Sequence, residues 1–295
     1  MEYKIELEEN KNYKTELNNI LIPSIKTGFN SYYIDKLKHL KTAIEPFKTN
    51  KLTKSAKPYK IISPLSVLED SELNKHYNFG TKQDFYIIYE IIKTYKLKGK
   101  IYSIGNEKIK VIIDKINDKN ISYTKEIKNC DIIFNNSKIN FLTNFYNQEV
   151  QQLTNIKKTI KEIDNLNIGG DCIIRIYNIF LNDTINEIIK LSGIFENVYI
   201  YKPETVDNYK VDKYLVCLNK KKKELNTKDK TIKDLSFINT SLINNQTKAI
   251  NQVINYINNR NYRGVEYQEY KQNQETTQKE FIKKNEINKK KNINI

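Results

Sequence analysis

Between Gly169 and Cys217 the chain limits its own architecture most sharply. A Gly-Gly pair opens onto an apolar, β-branched run from Cys172 to Tyr177 (CIIRIY), and a helix-like segment follows. A second short run spans Val198 to Tyr201 ahead of Lys202-Pro203, and after an irregular polar loop a third spans Tyr214 to Leu218. Strand, helix, strand, return and strand in that order predict the C-terminal half of an open α/β sheet.

The preceding segments supply the other half. Gly99 to Ile104 (GKIYSI) reads as a first strand, and Glu107 to Asn117 as a crossover helix with Asn106 as its N-cap. Asn120 to Tyr123 and Cys130 to Asn135 (CDIIFN) read as further strands. The six residues between them are too few for a crossover helix, which predicts a reduced sheet. Gln148 to Leu166 reads as a helix with Leu153, Ile156, Ile160 and Ile163 on one face, delivering the chain to Gly169. An earlier periodic run from Asp84 to Tyr95 stops near Lys98-Gly99.

The flanks are more polar. Tyr33, Leu37, Leu40 and Ile44 fall at helical spacing, and a Lys-rich connector, Lys48 to Lys57, reads as a linker, an RNA-facing arm or part of a flexible extension. Ile243 to Ile257 reads as a C-terminal helix; beyond Asn258 the repetitive polar chain predicts an exposed helix or a disordered tail. The expected organisation is a helical extension over 1–60, the α/β domain over 61–220, a helical extension over 221–260 and a tail over 261–295.

Fifty basic against 35 acidic residues give a net charge of +15, which favours phosphate-rich partners, RNA above all. Only Arg175, Arg260 and Arg263 among the basic residues are arginine, and Lys, Asn, Ile and Tyr crowd the whole chain. Compositional bias is therefore a competing account of the charge. Tyr262, Tyr267 and Tyr270 near Arg260 and Arg263 would suit base stacking, subject to the same bias. Three cysteines (Cys130, Cys172, Cys217) without C-x-x-C spacing, and His39 and His76 away from them, predict buried thiols and no metal site. No apolar stretch approaches ~20 residues and the first residues lack a signal-peptide core, so the expectation is an intracellular protein with no membrane partner.

The Gly169–Cys217 stretch resembles the FtsJ-like RNA 2′-O-methyltransferases. The matching residues are Gly169, Gly170, Phe195, Val198, Lys202, Pro203, Tyr214, Leu215, Val216 and Cys217. About fifty residues match well, and a longer region matches weakly. The resemblance implies a Rossmann-like methyltransferase fold, a mostly parallel sheet with an antiparallel last strand, reduced and extended by helices at both ends. It also implies a Lys-Asp-Lys-Glu tetrad for removing the ribose hydroxyl proton. Carried over, the tetrad becomes Ile87, Asn136 (or Asn135), Arg175 and Asp212. Isoleucine has no proton chemistry, asparagine carries no charge, and arginine stays protonated at physiological pH.

A methyl donor needs a Gly-rich loop after the first strand and acidic residues near the ends of the first two strands. Ser103, Gly105 and Asn106 stand at the first position, Tyr123 and Thr124 at the second, with no carboxylate before Glu126. Arg175, Lys202, Lys220, Lys221 and Lys222 are the candidate RNA contacts, an Arg175–Asp212 ion pair being the structural alternative for the first. The reading carried forward is a catalytically degenerate member with no cofactor, an RNA-binding or scaffold subunit beside an active RNA-processing enzyme. An active S-adenosylmethionine-dependent enzyme and a purely structural interaction protein are the alternatives.

Overall fold

The computed structural model describes residues 1–9, 65, 83–105, 109–116, 118–139, 145–228, 230–259 and 264–284. The expected helix over 30–44, the connector over 48–57, Asn106, Arg260, Tyr262, Arg263 and both histidines lie outside them. The chain divides into two units that do not follow sequence order. One comprises Met1–Asn30, Tyr95–Lys202 and Val211–Ser241; the other comprises Ser31–Thr94, Pro203–Lys210 and Leu242–Ile295.

The first unit is built on a seven-stranded sheet. Its strands are β1 (Glu2–Ile5), β3 (Gly99–Ile104), β4 (Ile121–Thr124), β5 (Cys130–Asn135), β6 (Leu166–Ile176), β7 (Phe195–Tyr201) and β8 (Lys213–Lys220), in the order β1-β7-β8-β6-β5-β3-β4. A small ribbon pairs β2 (Leu7–Glu9) with β9 (Lys230–Ile232). β4, β3, β5 and β6 run parallel, and β8 runs antiparallel to both β6 and β7. A reversed strand inserted between the last two parallel-sense strands makes this a Rossmann-like methyltransferase fold. It is shortened beyond β4: the five residues between Thr124 and Cys130 leave no room for a further crossover helix and strand.

The strands form where the sequence is apolar on both faces, as a sheet covered on each side demands. Ile132, Ile133 and Phe134 of β5, Ile173 and Ile174 of β6, and Leu215, Val216 and Cys217 of β8 have no exposed surface, each worth about 2 kcal/mol of burial. All three cysteines are free and buried. Burial pushes the Cys130 thiol up to about 11 and raises those of Cys172 and Cys217 as well, so none is poised as a nucleophile.

Gly169-Gly170 does not turn the chain into β6; it bulges the strand from within. The register jumps from Cys130↔Leu166 to Ile132↔Asp171, Gly169 takes φ +77°, and a Cβ on Gly170 would lie 2.7 Å from the Asp131 carbonyl.

Residues 2–9, expected within a helical extension, instead form β1 and β2. β1 pairs antiparallel with β7 through Glu2↔Tyr201 to Ile5↔Val198 and closes that edge of the sheet. The Tyr95 hydroxyl donates to the Glu2 carboxylate, and ion pairs Glu6–Lys233 and Glu9–Lys230 accompany the ribbon.

Of the helices, α1 (Gln83–Thr94) belongs to the second unit. α2 (Ile109–Ile116), α3 (Phe145–Glu162) and α4 (Asn182–Ile194) belong to the first. α5 (Leu235–Asn259) begins in the first and continues into the second, and α6 (Val265–Lys284) lies in the second. Within the second unit, Glu90 of α1 is buried and accepts from the Glu204 and Thr205 amides at 2.7 and 3.0 Å and from the Thr205 hydroxyl at 2.7 Å. That carboxylate fixes the turn after Pro203, and Lys284 of α6 adds an ion pair to Glu204 at 2.9 Å. α6 supplies an exposed helix where the sequence predicted either that or a disordered tail.

No helix among the described residues is long and apolar enough to cross a membrane.

Candidate functional site

The sheet changes direction of growth between β3 and β5, because the chain moves outward to β4 and then returns to the other side of β3. In open α/β sheets, ligands meet the protein at the C-terminal strand ends beside such a point. Here those ends carry Gly105 after β3, Asn135 at the end of β5 with Asn136 just after it, and Arg175 near the end of β6.

Strand alternation sorts these side chains onto two faces. Arg175 sits opposite Tyr214 in the β6–β8 ladder, and Ile176 opposite Lys213. Arg175, Tyr214, Asp212 and Asn136 therefore share one face, while Lys213 and Asn135 point to the other, where α3 packs.

On the first face Arg175 is held from several sides. Its Nε donates to Asp212 Oδ1 at 2.9 Å, its Nη2 pairs with the same oxygen, and its Nη1 donates to Asn136 Oδ1 at 3.3 Å. The Tyr214 hydroxyl donates to Asn136 Oδ1 at 3.1 Å, and the guanidinium lies 5.7 Å from the centre of the Tyr177 ring. The side chains of Arg175 and Asp212 are only 9% and 7% exposed. Burial opposes the arginine charge, but the oxygens of Tyr214 and Asp212 outweigh it and the pKa is raised. With both donors arriving at its oxygen, Asn136 presents a buried Nδ2 that has no partner among the described residues.

Of the tetrad positions the structure thus brings Arg175, Asp212 and Asn136 together. Asn135, the alternative to Asn136, lies on the other face: its Nδ2 donates to Thr159 at 2.7 Å and its Oδ1 accepts the Ser137 amide at 2.9 Å. Ile87 lies on α1 of the second unit, buried and apolar.

The donor positions tell a different story. Gly105 has φ +72°, and a Cβ there would fall 2.1 Å from Ser137 Oγ, so the glycine is required by its own turn and by the neighbouring strand end. At the end of β4, Thr124 closes a local turn with Glu126 through bonds of 3.1 and 3.2 Å. Among the described residues at these positions, Ser103, Gly105, Tyr123 and Thr124 carry no carboxylate for a donor's amino group or ribose hydroxyls.

The opposite face holds groups that sequence reasoning missed. Lys213 is buried, and its Nζ donates to the Val211 carbonyl at 2.7 Å. Burial and the nearby Lys202 charge push its pKa down to about 7, against the pull of Asp212 and Glu149. Glu149 and Gln152, one helical turn apart on α3, grip the segment leaving β6. Glu149 Oε1 accepts the Phe180 and Leu181 amides at 2.7 and 2.8 Å. Gln152 Oε1 accepts the Tyr177 and Asn178 amides at 2.5 and 3.2 Å, while its Nε2 donates to the Asn178 carbonyl at 2.5 Å. Burial raises the Glu149 pKa, against the stabilising effect of those amides. The available signal was their place on the apolar stripe of α3 beside Leu153 and Ile156.

Two of the remaining candidate cations, Lys220 and Lys221, have their ammonium groups engaged in structure. Lys220 Nζ donates to the Ile163 and Leu166 carbonyls at 2.7 and 2.8 Å, and Lys221 Nζ to the Ser192 and Gly193 carbonyls at 3.0 and 3.3 Å. Lys202 is half-buried with its amide on the Met1 carbonyl at 2.8 Å, and Lys222 is exposed.

No family model matches the sequence, and no curated protein matches it. Among solved structures, a Plasmodium falciparum protein described as a ribosomal RNA methyltransferase is similar at 19% identity and a TM-score of 0.37, over 47% of this chain and 97% of that one.

Proposed function

We propose that this chain is a methyltransferase-fold protein of FtsJ-like descent that does not transfer methyl groups. It serves instead as an RNA-binding or scaffolding subunit beside an active capping, methylating or polyadenylating enzyme. One observation carries the reading: the residue standing where a proton-accepting lysine is expected is a buried arginine, committed to Asp212 and Asn136. A guanidinium whose pKa is raised further cannot take a proton from a ribose hydroxyl. The lack of a carboxylate at Ser103, Gly105, Tyr123 and Thr124 supports the same conclusion.

The test is incubation of the purified chain with radiolabelled S-adenosylmethionine and transcripts, alongside calorimetry with the donor alone. No incorporation and no donor heat are expected; methyl transfer by the unaided chain would overturn the proposal.

A second reading rests on Lys213. A lysine brought down to about 7 has the proton affinity a general base needs, which favours an active enzyme. Its position argues against that role, because it is buried, bonded to Val211 and on the other side of the sheet from Asn136 and Arg175. If transfer were found and Lys213→Met abolished it while leaving the fold intact, this second reading would replace the first.

A further inference from the structure

The end of the sheet away from Arg175 gathers exposed lysines. α3 runs into a 3-10 turn, Ile163–Asn165, and β6 begins at Leu166, nine residues or roughly 25–30 Å of strand from Arg175. Lys157, Lys158 and Lys161 are exposed on the last turns of α3 at spacings of three and four, which places them side by side. The Asn129 amide donates to the Asn165 carbonyl at 3.1 Å and brings exposed Lys128 to the same place. Lys220, bonded to Ile163 and Leu166, anchors the end of β8 there, and exposed Lys222 and Lys223 follow it.

Helix ends of this polarity would ordinarily repel an anion. Here the carbonyls of the 3-10 turn and of the end of α4 are already capped by Lys220 and Lys221. The other six lysines are thereby left without that opposing field. The acidic groups set against them are exposed Asp164, Glu196 and Glu224, and half-buried Glu162, Asp131 and Asp171, which accept from Asn165 Nδ2 at 3.3 Å, Asn167 Nδ2 at 2.7 Å and the Asn219 amide at 3.0 Å.

We propose that this end of the first unit, formed by Lys128, Lys157, Lys158, Lys161, Lys222 and Lys223, is the surface that binds the RNA phosphate backbone. The Arg175 cluster is not. The inference rests on the RNA-binding reading above and locates it. Arg175 has its charge compensated and buried, whereas these ammonium groups can release counterions when a polyanion arrives.

The experiment is fluorescence anisotropy of a labelled single-stranded oligouridine over a salt series, with the full chain and three variants. The K157Q/K158Q/K161Q variant should lose about two units of the slope of log affinity against log salt, at about 0.7 per phosphate contact. Its affinity at low salt should fall about tenfold or more. Asp164→Asn, which removes an opposing charge, should tighten binding, a gain that misfolding cannot produce. The R175M/D212L variant, which removes the Arg175 charge without leaving Asp212 buried and unpaired, should leave the slope unchanged. Wild-type binding with an unaltered slope in the triple variant, or a slope lost through R175M/D212L, would overturn the location while leaving the RNA-binding reading intact. Absence of wild-type binding even at low salt would sink both and leave a protein-interaction module.

Discussion

Arg175 and Lys213 occupy neighbouring strands near the same end of the sheet, and both are cations removed from water, yet they are handled in opposite ways. Arg175 is met directly by a carboxylate, an amide oxygen and an aromatic ring. Lys213 is met directly by a carbonyl, with Glu149 and Asp212 acting through space and Lys202 acting against it. One face therefore preserves a charge and the other erodes one. A guanidinium cannot shed its proton to escape burial, so the fold must supply a partner; an ammonium can, and its pKa falls instead.

The strongest way to break this contrast is to remove the partner that arginine needs. Asp212→Ala leaves a buried guanidinium without its carboxylate and is expected to cost about 3–5 kcal/mol in urea unfolding. The double variant R175M/D212L, which removes both charges, should recover most of that loss. If Asp212→Ala proved as mild as a surface substitution, the pair would be an incidental contact, and the account of Arg175 as a locked group would fail.

Lys213 should respond in the opposite direction. Below its folded midpoint near 7 the lysine is charged in both states, and the cost of burying that charge is felt in full. Between there and the ordinary lysine range the unfolded chain binds more protons, so stability rises with pH, by at most about 1.4 kcal/mol per pH unit. Lys213→Met should raise stability at neutral pH by about 1–4 kcal/mol and flatten that rise. Unfolding curves measured from pH 7 to 10 check both, and a variant less stable than the parent at pH 7 would mean the ammonium is better solvated than its burial implies.

Gln152→Ala attacks the segment that joins the two faces. It leaves the Tyr177 and Asn178 amides without their acceptor, at a cost of about 1–3 kcal/mol. Because the Tyr177 ring lies against Arg175, faster hydrogen exchange should appear at residues 177–181 first. Uniform loss of protection would show that α3 holds the whole sheet and not this exit.

What the sequence made legible follows the range of the forces involved. β3 and β5 appear at the residues predicted for them, because an apolar run bounded by turn residues carries its own signal. β1 carries none: it is four residues long, and its partner Val198 lies far along the chain, so nothing local separates Glu2–Ile5 from the rest of the N-terminal extension. Lys213 stands in KPETVDNYKVDKY, a stretch whose polarity predicts a solvated loop, and only the register Ile176↔Lys213 shows that it points inward. The pairing of Arg175 with Asp212 could be anticipated, because Arg175 lies on one strand and Asp212 just before the strand expected to lie beside it. The engagement of Lys220 and Lys221 by carbonyls could not, since a run of four lysines reads the same whether its members cap helices or face water.

Glu149→Gln is the gentlest probe and the most selective. Glutamine retains an oxygen to accept the Phe180 and Leu181 amides, so the segment stays held and the change in stability should stay within about 1 kcal/mol at neutral pH. Two titrations should nevertheless move. Glu149 has a raised folded pKa, so its ionisation opposes folding and stability drains away as pH climbs from the ordinary carboxylate range to the folded value; glutamine removes that decline. Lys213 loses a negative neighbour, so its midpoint, followed by NMR of labelled lysine side chains, should drop below its starting value near 7. A midpoint that stayed in place would mean that Glu149 is already neutral there and that Asp212 alone supports the lysine charge. The carboxylate guarding Arg175 would then be serving the cations on both faces.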